Sequence, residues 1–249
     1  MNAEPIAPVV LVTGAAKRVG AEIARALHCG GARLVLHCRA SLAAATALAA
    51  DFNALRPDSA LCLQADLCDS AASGRLVDDA MRCFGRLDGL VNNASSFFAT
   101  PLGSIDDAAW DNLMGSNLKG PLFLSQAAAP HLRASQGAIV NITDIHAELP
   151  LKNYPLYCAA KSGLLGLTRA LALELAPEVR VNAIAPGPIA WPESDAFDAA
   201  ARQDIVDRTL LQRIGAPSDI ARSVHFLLFE APFVTGQVLN VDGGRSVRI

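Results

Sequence analysis

A chain of 249 residues with 52% apolar and only 18% charged side chains is long enough for a large core and too apolar to be disordered as a whole. Its formal net charge of −3 offers no basic field, so the expected partner is a small molecule, with no nucleic acid and no membrane. The six cysteines lack C-x-x-C or zinc-like His/Cys spacing, so no metal is expected.

Met1 to Pro8 has neither a basic start nor a long apolar run, which points to a cytoplasmic protein with reduced thiols. Val9 to Thr13 is a β-branched run that predicts a strand. Arg18 to Cys29 then repeats with helical period through Val19, Ile23, Ala26 and Leu27. Between them lies T-G-A-A-K-R-V-G, where Gly14 permits a tight exit from the strand and Gly20 a close helix approach. That arrangement aims backbone N–H groups at a phosphate.

Arg33 to Cys38 predicts the second strand, which delivers His37, Arg39 and Ser41 to the cofactor edge of a dinucleotide fold. An acid about 20 residues beyond the glycine turn binds an adenosine ribose, whereas a cation there favours the 2′-phosphate of NADP. No acid is present; Lys17, Arg39 and Ser41 suit the phosphate, although Arg39 also reads as a solvated loop charge.

An alanine-rich helix over Leu42 to Leu55 and a third strand over Ala60 to Ala65 follow, ending at Asp66, which reads either as a cap or as a cofactor ligand. A helix over Arg75 to Phe84 and a strand over Leu87 to Val91 lead into Asn92, Asn93, Ala94, Ser95, Ser96, Phe97 and Phe98. Amides and small residues at a strand end suit close backbone approach to a ligand. Phe97 is the candidate to stack on a planar heterocycle, and Phe98 reads as a hydrophobic plug under a later loop.

A long helical region over Asp106 to His131 carries Asn117, either a satisfied structural amide or an anchor for water near Lys161. The fifth strand, Ala138 to Thr143, ends at Asp144. In the next helix, Pro155 to Leu175, Tyr157 and Lys161 stand four residues apart on one face, where the ammonium is expected to lower the phenol pKa. A strand over Val179 to Ile184 precedes Pro186-Gly187-Pro188. About 189–215 reads as a lid or substrate loop with short helices of its own. A helix over Pro217 to Phe229 and a strand over Val238 to Val241 complete the chain.

Strands alternate with helices throughout, without repeat or low-complexity linker. The expected fold is therefore α/β: one Rossmann-type domain over residues 1–249, a doubly wound parallel sheet with helices on both faces. Gly14, Asp66, Asn92 to Ser95, Asp144 and Pro186 all fall at strand carboxyl ends, where such sheets bind ligands.

The motifs T-G-x-x-x-x-x-G, N-N-A, Y-x-x-x-K, P-G and V-D-G-G, spread from Val9 to Gly244, resemble the short-chain dehydrogenase/reductases. The resemblance implies Tyr157 as proton donor, Lys161 on the nicotinamide ribose, and Asn117 at a water relay. It also implies NADPH held by Gly14, Lys17, Arg18, Gly20, His37, Arg39, Ser41, Asp66, Asn93, Ala94, Ser95, Tyr157, Lys161, Pro186 and Gly187, in a homotetramer paired through its long, weakly charged helices.

Two positions depart from the pattern: Arg18 replaces the middle glycine, and Asp144 replaces the serine thirteen residues before the tyrosine. A carboxylate cannot donate to a ketone oxygen, but it can accept from an amine-bearing substrate whose C=N bond is reduced. With S-S-F and T-G-A-A-K-R, these departures are similar to the pteridine reductase branch. That likeness implies a pterin or folate site built from Arg18, Ser95, Phe97, Asp144, Tyr154 and Tyr157. The expected activity is NADPH-dependent reduction of dihydropterins. A carbonyl reductase of 3-oxoacyl type and a non-catalytic NADPH-binding module are the alternatives.

Overall fold

The computed structural model describes residues 7–191 and 198–247. Seven parallel strands make one sheet in the order β3-β2-β1-β4-β5-β6-β7: β1 Val9–Val12, β2 Arg33–Cys38, β3 Ala60–Gln64, β4 Gly89–Asn92, β5 Ala138–Ile142, β6 Arg180–Pro186 and β7 Val238–Val241. Strand residues alternate between faces, so β1 divides its side chains between two cores. Val10 and Val12 pack with Leu34, Ile23, Leu27 and Ile220; Val9 and Leu11 pack with Val35, Leu124, Leu132 and Ile139. Helices α1 (Arg18–Cys29), α2 (Leu42–Leu55) and α8 (Pro217–His225) cover the first face. Helices α3 (Ser70–Phe84), α5 (Gly120–Ser135) and α6 (Pro155–Leu175) cover the second. The fold is the Rossmann-type doubly wound α/β sheet that the alternating pattern predicts.

Two shorter helices, α4 (Asp107–Met114) and α7 (Ala199–Asp207), complete the set. The expected continuous helix over Asp106 to His131 is instead α4 and α5 joined by one π-turn, Gly115–Lys119, which holds Asn117. The last predicted helix likewise ends its α-helical part at His225 and passes into a π-turn, Phe226–Glu230. Helix α3 starts at Ser70, ahead of the expected Arg75, because Asp69 caps it by accepting from the Ala71 N–H at 2.9 Å.

The strand order reverses beside β1: the chain leaves it towards β2 on one side and returns to β4 on the other. Ligands of such sheets bind at that crevice. Thr13 locks it. Its Oγ1 accepts from the Asn93 and Ala94 N–H groups, each at 2.9 Å, and donates to the Val91 carbonyl. Asn93 Nδ2 donates to the Thr13 carbonyl at 2.8 Å, closing the tie between the two strand ends.

Candidate active site

The glycine turn is shaped by contact as well as by conformation. Gly14 has φ +63°, and a Cβ there would stand 3.0 Å from the Ala94 Cα; a Cβ at Gly20 would overlap the Gly14 carbonyl. Arg18, where the family pattern has glycine, adopts φ +50°, in the left-handed region that side chains disfavour. Its guanidinium spans to the far wall, donating to the Ala190 carbonyl at 3.1 Å and the Trp191 carbonyl at 3.5 Å. Asp69, Asp106 and Asp198 cap α3, α4 and α7, but no side chain caps α1. The first-turn N–H groups of α1 are thus left for an outside acceptor, which fits a dinucleotide pyrophosphate.

Two adjoining cavities run along the strand ends. The smaller, about 250 Å³, brings together Lys17, Arg39, Ser41 and Asp66. Asp66 accepts from the Cys68 N–H at 3.0 Å and so caps its own turn as well as facing the cavity. Among the described residues, neither Lys17 nor Arg39 has an ion-pair partner. The same cavity touches His37, as expected of a residue at the cofactor edge, but both of its ring nitrogens are already engaged. Nδ1 accepts from the Gly14 N–H at 3.3 Å, Nε2 donates to the Ala65 carbonyl at 3.1 Å, and burial holds the pKa below its ordinary value. His37 therefore shapes the turn as a neutral imidazole and has no ring nitrogen left for a ligand.

The larger cavity, about 610 Å³, shares Gly14, Lys17, Ala94 and Ser95 with the first and is lined further by Arg18, Phe97, Asp144, Tyr157, Lys161, Pro186 and Gly187. Its centre is built by β5 and α6. Tyr157 OH donates to Asp144 Oδ2 at 2.6 Å, while Asp144 Oδ1 accepts from the His146 N–H at 2.8 Å and caps a 3-10 turn. Lys161 Nζ donates to the Ile142 carbonyl at 2.9 Å and lies 5.7 Å from the Tyr157 ring centroid. A buried chain of hydrogen bonds orients α6: Asn92 Nδ2 to Asn141 Oδ1 at 2.8 Å, Asn141 Nδ2 to Thr168 Oγ1 at 2.9 Å.

The electrostatics reverse one expectation. Tyr157 is held well above the ordinary phenol value, first by burial, then by the Asp144 charge and its hydrogen bond. Lys161 does not overcome this in the protein alone, because burial brings its own pKa down to about 8, against a smaller upward pull from Asp144. A phenolate beside the Asp144 carboxylate would put a second negative charge at a buried site, so Tyr157 stays a donor.

Other predicted residues are placed differently from one another. Asn117 is fully buried, with Nδ2 donating to the Ser96 and Leu113 carbonyls at 3.0 Å and Oδ1 accepting from Ser95 Oγ at 2.6 Å; its bonds run to the 95–96 loop and not to Lys161. Phe97 stacks on Tyr154 with centroids 4.6 Å apart and meets Tyr157 edge-on at 4.9 Å. Tyr154, expected at the pocket, stacks against Phe97, which lines the cavity. Phe98, expected as a plug under the 189–215 loop, is 39% exposed, as Phe97 is.

Of the expected substrate loop, residues 192–197 lie outside the described residues; α7 follows, and Asp204 and Ile205 from it line the cavity with Trp191. Sequence reasoning missed Asp204 and Arg245, which reach the wall from α7 and from the turn after β7. Only the neighbouring positions of β6 and β7 in the sheet bring these distant segments together.

Residues 14–246 match the family model described as enoyl-(acyl carrier protein) reductase. The chain is 39% identical to pteridine reductase 1 of Leishmania tarentolae, with 99% of each chain covered. It is 38% identical to a granaticin polyketide synthase putative ketoacyl reductase of Streptomyces violaceoruber, over 96% of each. It is 34% identical to a 3-oxoacyl-(acyl-carrier-protein) reductase of Staphylococcus aureus, over 94% of this chain and 96% of the other. With the sheet, the glycine turn and the Tyr157–Lys161 pair in place, these full-length matches assign the protein to the short-chain dehydrogenase/reductase family of oxidoreductases.

Proposed function

We propose that the protein is an NADPH-dependent reductase of dihydropterins, taking dihydrobiopterin, dihydromonapterin or dihydrofolate to the tetrahydro form. The observation that carries this reading is the 2.6 Å bond between Tyr157 and Asp144 at the foot of the Phe97 ring. A carboxylate there can accept from the amino and ring N–H groups of a pterin, which a ketone substrate lacks. Similarity to pteridine reductase 1 supports the same reading.

Lys17, Arg39 and Ser41 would hold the 2′-phosphate of NADPH, the start of α1 its pyrophosphate, and Pro186 and Gly187 its nicotinamide end. When bound, the dinucleotide supplies the hydride that reduces a C=N bond. Tyr157 places its proton on the substrate nitrogen. Asp144 orients the ring and passes a replacement proton from solvent to the phenol, while the Lys161 ammonium offsets negative charge on the pair. Phe97, stiffened by Tyr154, presents a flat apolar surface on which the heterocycle stacks.

Absorbance of NADPH, followed with pterins, folates and acetoacetyl thioesters, tests the assignment: turnover of the thioester alone would replace it with the carbonyl reductase reading, which the ketoacyl reductase relatives favour. Phe97→Ala should weaken pterins and flat diaminopteridine inhibitors alike while leaving NADPH affinity near its starting value. The proposed assembly is a homotetramer, supported by exposed Trp110, Leu122 and Leu173 on α4, α5 and α6, and the proposed compartment is the cytoplasm. Sedimentation as a monomer at micromolar concentration would refute it.

A further inference from the structure

Away from Asp144, Tyr157 and Lys161, the larger cavity carries a second charged feature. The turn after β7 brings Arg245 into the wall beside Asp204 and Ile205 of α7. The side chain is half-buried, and Nη1 donates to the Ile205 carbonyl at 2.9 Å. The nearby carboxylates of Asp204 and Asp242 attract the guanidinium from beyond ion-pair distance, while their hydrogen bonds go elsewhere. Asp204 Oδ1 is held by Arg208 Nε at 2.8 Å, while Asp242 accepts from the Gly244 N–H at 2.9 Å and the Ser246 N–H at 2.7 Å. Among the described residues no carboxylate stands within ion-pair distance of Arg245. A guanidinium has five N–H donors, and a partly desolvated one is stabilised by an anion that can take several of them.

Resting on the pterin reading, we infer that Arg245 is a specificity-determining residue that selects substrates whose side chain, beyond the reducible ring, ends in an anion. A carboxylate, as in dihydrofolate, and a phosphate ester offer the same chemistry. The ring is held at Asp144 and Phe97, in the loops after β5 and β4, and the tail runs along the α7 wall. A residue that only caps the last turn of α7 would affect every substrate alike, so discrimination between tails separates the two roles.

Kinetics of the purified full chain with NADPH should compare dihydrofolate, a dihydropterin phosphate ester and dihydrobiopterin, whose tail is uncharged. The unaltered protein is expected to show lower KM for the anionic tails, and the lower of those two identifies the source of the anion. Arg245→Gln should raise the KM for anionic tails by about tenfold more than that for dihydrobiopterin. Arg245→Lys should recover part of the difference. An equal rise for all three substrates would overturn the inference and leave the pterin reading standing. Should Arg245→Gln fail to fold, the unaltered protein still decides: between about 20 and 200 mM KCl, KM should climb for anionic tails and stay level for dihydrobiopterin. Parallel salt curves would count against Arg245, and turnover of none of the three pterins would remove both readings.

Discussion

Helices α6 and α7 both border the larger cavity, and they are built on opposite terms. Helix α6 buries side chains from Leu156 to Leu175, Tyr157 and Lys161 among them, and is tied to β4 and β5 through Asn92, Asn141 and Thr168. Helix α7 buries no residue; an Asp198 cap, the exposed Asp204–Arg208 ion pair and the Arg202 guanidinium 5.4 Å from the Trp191 ring centre hold it. Groups that must keep angstrom-level geometry belong on the first kind of element, while a wall that chooses among substrates can be supplied by the second. On the proposed reading, chemistry falls to α6 and selection to α7.

The comparison can be broken most directly at Tyr157. Tyr157→Phe removes the proton while keeping the ring against Phe97, so kcat should fall on the order of a thousandfold with little change in melting temperature. A mild loss would mean that another group supplies the proton.

Lys161 gives the next largest effect, read as stability. Its folded pKa of about 8 lies below the ordinary 10.5, so below pH 8 both states carry the proton and the full cost of the buried charge is present. Between 8 and 10.5 the folded state releases its proton first, and stability should therefore rise with pH across that window. Relative to Lys161→Met, the gain should amount to about 3 kcal/mol, measurable by urea unfolding at several pH values. A flat difference would show that the ammonium is not desolvated.

Asp144→Ser is expected to lower pterin turnover about tenfold and to move the alkaline limb of the pH–rate profile downward, because the carboxylate opposing ionisation of Tyr157 is gone. An unmoved limb would show that Asp144 does not set the phenol. Arg202→Ala, on α7, should give the smallest change: below about 1 kcal/mol in stability, with a severalfold shift in substrate KM and kcat nearly constant. If it lowered kcat as much as Asp144→Ser does, the division between the helices would fail.

Much of this was readable from the residues. The ends of α1, α2 and α6 agree with the expected Arg18–Cys29, Leu42–Leu55 and Pro155–Leu175 because apolar period and terminal residues coincide there. The π-turns at Gly115–Lys119 and Phe226–Glu230 were not, since one wider turn leaves no separate period. Helix α7 falls among the short helices expected within 189–215, but with no buried apolar face its bounds could not be fixed from the sequence. In the site, the four-residue spacing of Tyr157 and Lys161 announced their shared face. The direction of the phenol shift depends on depth and on Asp144 Oδ2, which spacing does not encode. Arg245 escaped notice because a lone arginine after the last strand has no local pattern, and its setting comes from the sheet order.

Arg18 stands in the turn that faces the dinucleotide, yet its guanidinium is engaged by the carbonyls of Ala190 and Trp191 on the substrate side. On the proposed reading, one side chain is shared between two binding equilibria. A dinucleotide that draws the guanidinium to its phosphates must release those carbonyls, and a substrate that steadies the 190–191 backbone alters the cost of that release. By thermodynamic reciprocity each ligand then changes the affinity of the other by the same factor, so a dissociation constant measured for either one belongs to a stated occupancy of its neighbour.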